Sequence, residues 1–166
     1  MALPRGYLAL LGITVVGLFF LLTTGALVAG DEEAGWACTD WPLCSGRLLP
    51  DASTPLPQAI QTVHRAVAMA VGLLIAAVAV IGIRARASLG VPGRWAALVG
   101  VLFVIQASVG AAVIFARLEA LWRATHLATA SAVWAALVVL TTLAYFQRPT
   151  TQARRVASGG VSPETA

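Results

Sequence analysis

The chain has no lysine, only two histidines and two cysteines, and charged side chains make up just 11% of its 166 residues. Each shortage removes a class of protein. So little charge, beside 59% apolar residues and a mean hydropathy of +0.86, excludes an ordinary soluble domain. Without lysine, eleven arginines supply the positive charge behind the formal +4, and they flank apolar runs instead of forming a contiguous patch. That distribution argues against nucleic acid as a partner, whatever the basic pI. The two cysteines have no histidine near them in the sequence, so they fall short of the four ligands of a structural zinc site.

What the sequence does have is hydrophobic length. Four runs, residues 7–29, 58–83, 95–116 and 121–146, reach the ~20 residues that cross roughly 30 Å of hydrocarbon. In lipid every backbone amide must be satisfied within its own segment, so these are helices. The expected fold class is therefore an all-α membrane protein, a four-transmembrane-helix bundle with the lipid bilayer as its first partner. The first run is too long for the apolar part of a signal peptide and is read as a retained helix.

Arginine placement orients the bundle. Arg5, Arg84, Arg86, Arg94, Arg148, Arg154 and Arg155 lie at the two termini and in the second connection. The first connection holds Asp31, Glu32, Glu33, Asp40 and Asp51 against Arg47 alone. The positive-inside rule puts both termini in the cytoplasm and the first and third connections outside the cell membrane. The transmembrane domain is read as residues 1–149, with an outer loop at 30–57. Residues 150–166, small and polar, are read as a disordered cytoplasmic tail. The inner connection around 87–93 is short, which makes the second and third helices antiparallel neighbours.

His64 and His126 sit 62 residues apart, each about six residues inside the outer end of an apolar run. An ionisable group at membrane depth is a functional-site hypothesis by default. Two at matching depth on different helices suggest a shared partner, and a haem iron held from both sides fits that pattern. Small residues follow each one: Ala68, Ala70 and Gly72 after His64, and Ala128, Ala130 and Ala132 after His126. Close helix packing in lipid would favour the same residues, and interhelical hydrogen bonding without a cofactor is the competing reading. A weak internal repeat supports the pairing. Thr24-Gly25-Ala26 resembles Val109-Gly110-Ala111, and Val63-His64-Arg65 resembles Thr125-His126-Leu127.

Four other polar groups lie near these histidines. Arg65 and Arg123 suit either the propionates of a haem or lipid headgroups. Gln61, one helical turn before His64, and Gln106, four residues before Gly110, suit either a ligand or a neighbouring helix. Cys38 and Cys44, in the outer loop, point to a disulfide formed in an oxidising compartment; a redox-active dithiol stays open.

The segment Cys38-Thr39-Asp40-Trp41-Pro42-Leu43-Cys44-Ser45-Gly46-Arg47, the later His64-Arg65, Gln106 with Gly110, and Thr125-His126-Leu127 together resemble the heme A synthase family over about residues 10–147. Most members of that family have eight transmembrane helices in two similar halves, and this chain resembles the N-terminal half, as compact members do. The resemblance implies that His64 and His126 flank a haem and that Cys38 and Cys44 are bonded. It also implies oxidation of a methyl group of heme O, through an alcohol and a hydrated aldehyde, to the formyl group of heme A. The haem involved is heme b, or heme O and heme A as substrate and product.

Two departures bear on that activity. The family typically has a glutamate three residues before the first histidine, where this chain has Gln61; an amide cannot accept a proton at neutral pH. Either Asp40 or Asp51 folds over the site, or the chain is a bis-histidine b-type cytochrome that carries electrons or holds haem. A half-size chain would also need a homodimer, or a larger respiratory membrane complex, to present two sites. A cofactor-free helical scaffold subunit is the third reading.

Overall fold

The computed structural model describes residues 6–147; the expected tail, with Arg5, Arg148, Arg154 and Arg155, lies outside them. Six helices follow one another: α1 (Tyr7–Gly30), α2 (Glu32–Trp36), α3 (Leu56–Arg84), α4 (Arg86–Leu89), α5 (Val91–Phe115) and α6 (Ala120–Phe146). The described residues contain no β-strand. Helices α1, α3, α5 and α6 are each long and apolar enough to cross a membrane. The four runs read from the sequence are these four helices.

Helix boundaries follow local chemistry. Pro57 and Pro92 stand in the first turns of α3 and α5, where a missing N–H costs nothing. Asp31 caps α2 by accepting from the Ala34 N–H at 3.0 Å, and Glu32 and Glu33 favour the positive end of that helix. The inner connection expected around residues 87–93 is instead mostly helical. Arg86-Ala87-Ser88-Leu89 forms α4, so only Ala85 and Gly90 stand between α3 and α5 outside helices. Gly90 turns the chain at φ 60, a conformation that costs glycine little.

The four long helices form a ring. Helix α1 packs on α3 and α6, and α5 packs on the same two, while the backbones of α3 and α6 lie across the ring from each other. The two histidine-bearing helices therefore occupy opposite corners.

Packing differs sharply along the bundle. The end away from the disulfide loop is filled by Leu11, Ile75, Val78, Val99, Leu137 and Leu140, all essentially inaccessible. Lipid supplies little hydrophobic drive between helices, so close approach and hydrogen bonds must hold them. Gly82 lies so near α5 that a Cβ there would stand 2.3 Å from the Ala96 Cβ. The Tyr7 hydroxyl donates to the Val78 carbonyl at 3.3 Å, tying α1 to α3. Toward the loop end the α5–α6 side loses this density: no residue of 100–115 on α5 or 120–132 on α6 is buried.

Residues 31–55 close over the loop end. Cys38 and Cys44 are disulfide-bonded, with Cα atoms 5.1 Å apart, and both are buried. The Asp40 carboxylate accepts from the Ser45 and Gly46 N–H groups at 3.0 and 3.2 Å, bracing a turn in which both residues have positive φ.

Candidate functional site

His64 on α3 and His126 on α6 are half-buried at opposite corners of the bundle, within electrostatic range of each other. Each imidazole lies against a glycine of an adjacent helix. A Cβ added to Gly25 on α1 would stand 3.1 Å from His64 Cε1, and one added to Gly110 on α5 would stand 3.0 Å from His126 Cε1. Gly25 and Gly110 are the matched glycines of the internal repeat. The repeat is thus a packing rule: one helix of each pair gives up its side chain so that the other can lay an imidazole on its backbone.

The hydrogen bonds to the two rings differ. Thr24 Oγ1 lies 3.1 Å from His64 Nδ1 and donates its own proton to the Leu21 carbonyl at 2.9 Å. In the tautomer protonated on Nδ1 the threonine oxygen is the acceptor and Nε2 keeps the lone pair a metal needs. On the other arm the Gln106 amide nitrogen lies 3.2 and 3.3 Å from the two ring nitrogens of His126. Thr129 holds that amide in turn, donating to Gln106 Oε1. Gln106 therefore orients the histidine, while Thr24 and Thr129 take roles that nothing in the sequence singled out.

Arg65 turns away from the histidine layer into the loop. Its Nη1 donates to the carbonyls of Asp40, at 2.6 Å, and Leu43, and its Nη2 donates to Cys38 at 3.1 Å. All three carbonyls belong to the disulfide-closed segment, and the Asp40 carboxylate stands 4.0 Å from the guanidinium. With only 9% of its surface exposed, Arg65 is the post on which the loop is hung. Arg123 is exposed on the first turn of α6, and no described side chain pairs with it.

Neither loop carboxylate covers the histidines. Asp40 is committed to its turn, and its carboxyl is held below the usual range chiefly by the Ser45 N–H. Asp51 is exposed, paired with Arg47 and held down to about 2 chiefly by the Ser53 hydroxyl. Gln61, by contrast, is 3% exposed one turn from His64. Its Nε2 donates to the Gly35 carbonyl at 3.2 Å, and its Oε1 is buried with no partner. A dry, unpaired amide oxygen costs roughly 1–3 kcal/mol.

The donor set suits a haem. Two imidazoles stand on the diagonal helices of the ring, each against a glycine of a neighbouring helix, and no residue of 100–115 or 120–132 at that end is buried. The unpaired Gln61 oxygen, one helical turn from His64, is a buried acceptor open to a donor.

Comparison with known proteins identifies relatives of the chain. Residues 2–138 match the cytochrome oxidase assembly protein family. The chain is 37% identical over 142 residues to the protoheme IX farnesyltransferase of Haloarcula marismortui, an alignment covering 84% of this chain and 29% of that one. It is 31% identical over 138 residues to the heme A synthase of an Exiguobacterium species, covering 81% and 44% respectively. Against the heme A synthase of Shouchella clausii the identity is 33% over 135 residues, covering 80% and 44%. The chain thus spans less than half the length of these relatives, and no solved structure matches it. With the family match running from residue 2, ahead of α1, into α6, the chain belongs to the heme A synthase family of cytochrome oxidase assembly proteins.

Proposed function

We propose that this chain is a membrane haem protein in which His64 and His126 hold the iron, and that it oxidises a methyl group of heme O to the formyl group of heme A. The observation that carries the reading is the pair of imidazoles on opposite corners, each seated on its own glycine. When bound, the haem supplies the redox chemistry. The chain's part is to fix both imidazoles, to keep the histidine layer under a closed loop, and to offer Gln61 Oε1 as a hydrogen-bond acceptor. Similarity to a protein named for farnesylating protoheme IX supports a farnesylated haem as substrate. The loop end faces outward from the cell membrane, as the arginine asymmetry suggests.

Gln61 favours a second reading, a bis-histidine b-type cytochrome that carries electrons without making heme A. Its amide can orient a hydroxyl but cannot take its proton at neutral pH. Extracting pigment from cells that express this chain with a source of heme O separates the two. A formyl-bearing haem supports the synthase. A bis-histidine spectrum with no formyl haem supports the cytochrome, and absence of any haem in the purified protein overturns both. If proton transfer is what the amide lacks, Gln61→Glu should raise the yield of formyl haem.

A further inference from the structure

A cleft of about 410 Å³ opens between the loop and the turn that joins α5 to α6. Gly35, Trp36 and Cys38 form one wall; Ile114, Phe115 and Arg117 form the other. Its position follows from helix geometry. Ile114 lies four residues beyond Gly110, the seat of His126, and so about one turn outward on the same face of α5. Gly35 is gripped by Gln61, itself one turn outward of His64 on α3. Both walls therefore stand one helical turn outside the histidine layer, one above each arm.

Arg117 is the single charge among those residues. It is exposed, and among the described residues no carboxylate pairs with it. Its backbone is fixed in the left-handed region at φ 53, followed by Leu118 at φ 59. Three backbone bonds fasten that turn: Arg117 N–H to Ile114, Leu118 N–H to Val113 and Glu119 N–H to Ala116, at 3.1, 2.8 and 3.2 Å. Leu118 also braces the loop, its Cδ1 lying 3.2 Å from where a Gly35 Cβ would stand. The protein thus holds two non-glycine residues in a costly conformation next to a free guanidinium over an apolar floor.

We propose that this cleft is a carboxylate-binding subsite, in which Arg117 pairs with a propionate of the haem while Ile114 and Phe115 lie along its apolar rim. The assignment rests on the haem reading above and adds to it the residue that reads the anionic edge. Arg123, which stands on α6 outside the cleft lining, is not that residue. An anionic lipid headgroup offers the same chemistry, so the test must separate the two sources.

The experiment titrates the haem-free full chain in nanodiscs of zwitterionic lipid, and again with anionic lipid added, using two probes, protohaem IX and its dimethyl ester, and reading the Soret band. Arg117→Gln should weaken binding of the diacid by roughly 10- to 100-fold, the scale of a charge-assisted pair. The same substitution should leave the ester within about twofold, and Arg117→Lys should recover part of the loss. Equal loss for both probes, or none for either, overturns the subsite. Loss that appears only when anionic lipid is present assigns Arg117 to headgroups and overturns it too. If the unaltered protein binds neither probe, the haem reading itself falls, which is a different failure.

Discussion

The two histidine arms share a seat and differ in everything around it. Both rings lie on a glycine, but His64 leans on a threonine within a buried, disulfide-closed surround, whereas His126 leans on a glutamine in a more open stretch of α6. The common element is what a bulky ring between two helices requires. The differing elements are where one arm can be tuned without the other. Duplicated architecture need not mean duplicated chemistry.

The harshest way to break the comparison is to remove the rings. His64→Ala and His126→Ala should each cut haem occupancy at least about tenfold, seen as loss of the bis-histidine spectrum. If both variants keep the wild-type spectrum, neither histidine is a ligand. Arg65→Ala comes next and should separate the arms. It leaves three loop carbonyls without their donor, about 1–3 kcal/mol for each one kept dry. Thermal unfolding in detergent should fall clearly for Arg65→Ala and stay near wild type for Arg123→Ala; equal falls would refute the loop-post role.

Enlarging the seats probes what the arms share. Gly25→Ala and Gly110→Ala each bring a methyl within 3.1 or 3.0 Å of an imidazole carbon, an overpacking cost of about 1–3 kcal/mol. Haem titration should register comparable losses for the two, and a large effect at only one would end the equivalence. Deleting the ring partners sharpens the contrast at smaller scale. Thr24→Val and Gln106→Leu should each weaken haem binding only about threefold, near the ~0.6 kcal/mol typical of a hydrogen bond in a membrane bundle.

The mildest test lies in the loop. The Asp51 carboxyl is held down to about 2, so its contribution to loop order is complete above the unfolded value near 3.9 and is lost as pH falls toward 2. A carbon NMR titration of that carboxyl should place its midpoint near 2. A midpoint near 3.9 would detach it from the Ser53 and Thr54 hydroxyls.

Much of this was legible beforehand because lipid leaves a sequence few choices. Twenty apolar residues can only be a helix, and two histidines in such runs stand out. The glycine seats were visible as repeated letters, but nothing in one dimension says that Gly25 meets His64. In the sequence Arg65 suits a ligand or the lipid, whereas its partners in the fold are backbone carbonyls that converge only once the loop has folded. Arg117 escaped notice because its distinction is a left-handed turn, which arginine does not advertise. The α4 helix is hidden in the sequence for a simpler reason: four residues beside a glycine look like a link.

The backbones of α3 and α6 do not approach each other closely, so the two histidine-bearing corners are joined chiefly through α1 and α5. A guest wedged there would be the crossbeam of the frame. If haem binds there as proposed, the melting point of haem-free protein should climb with every equivalent of pigment supplied until the site is full.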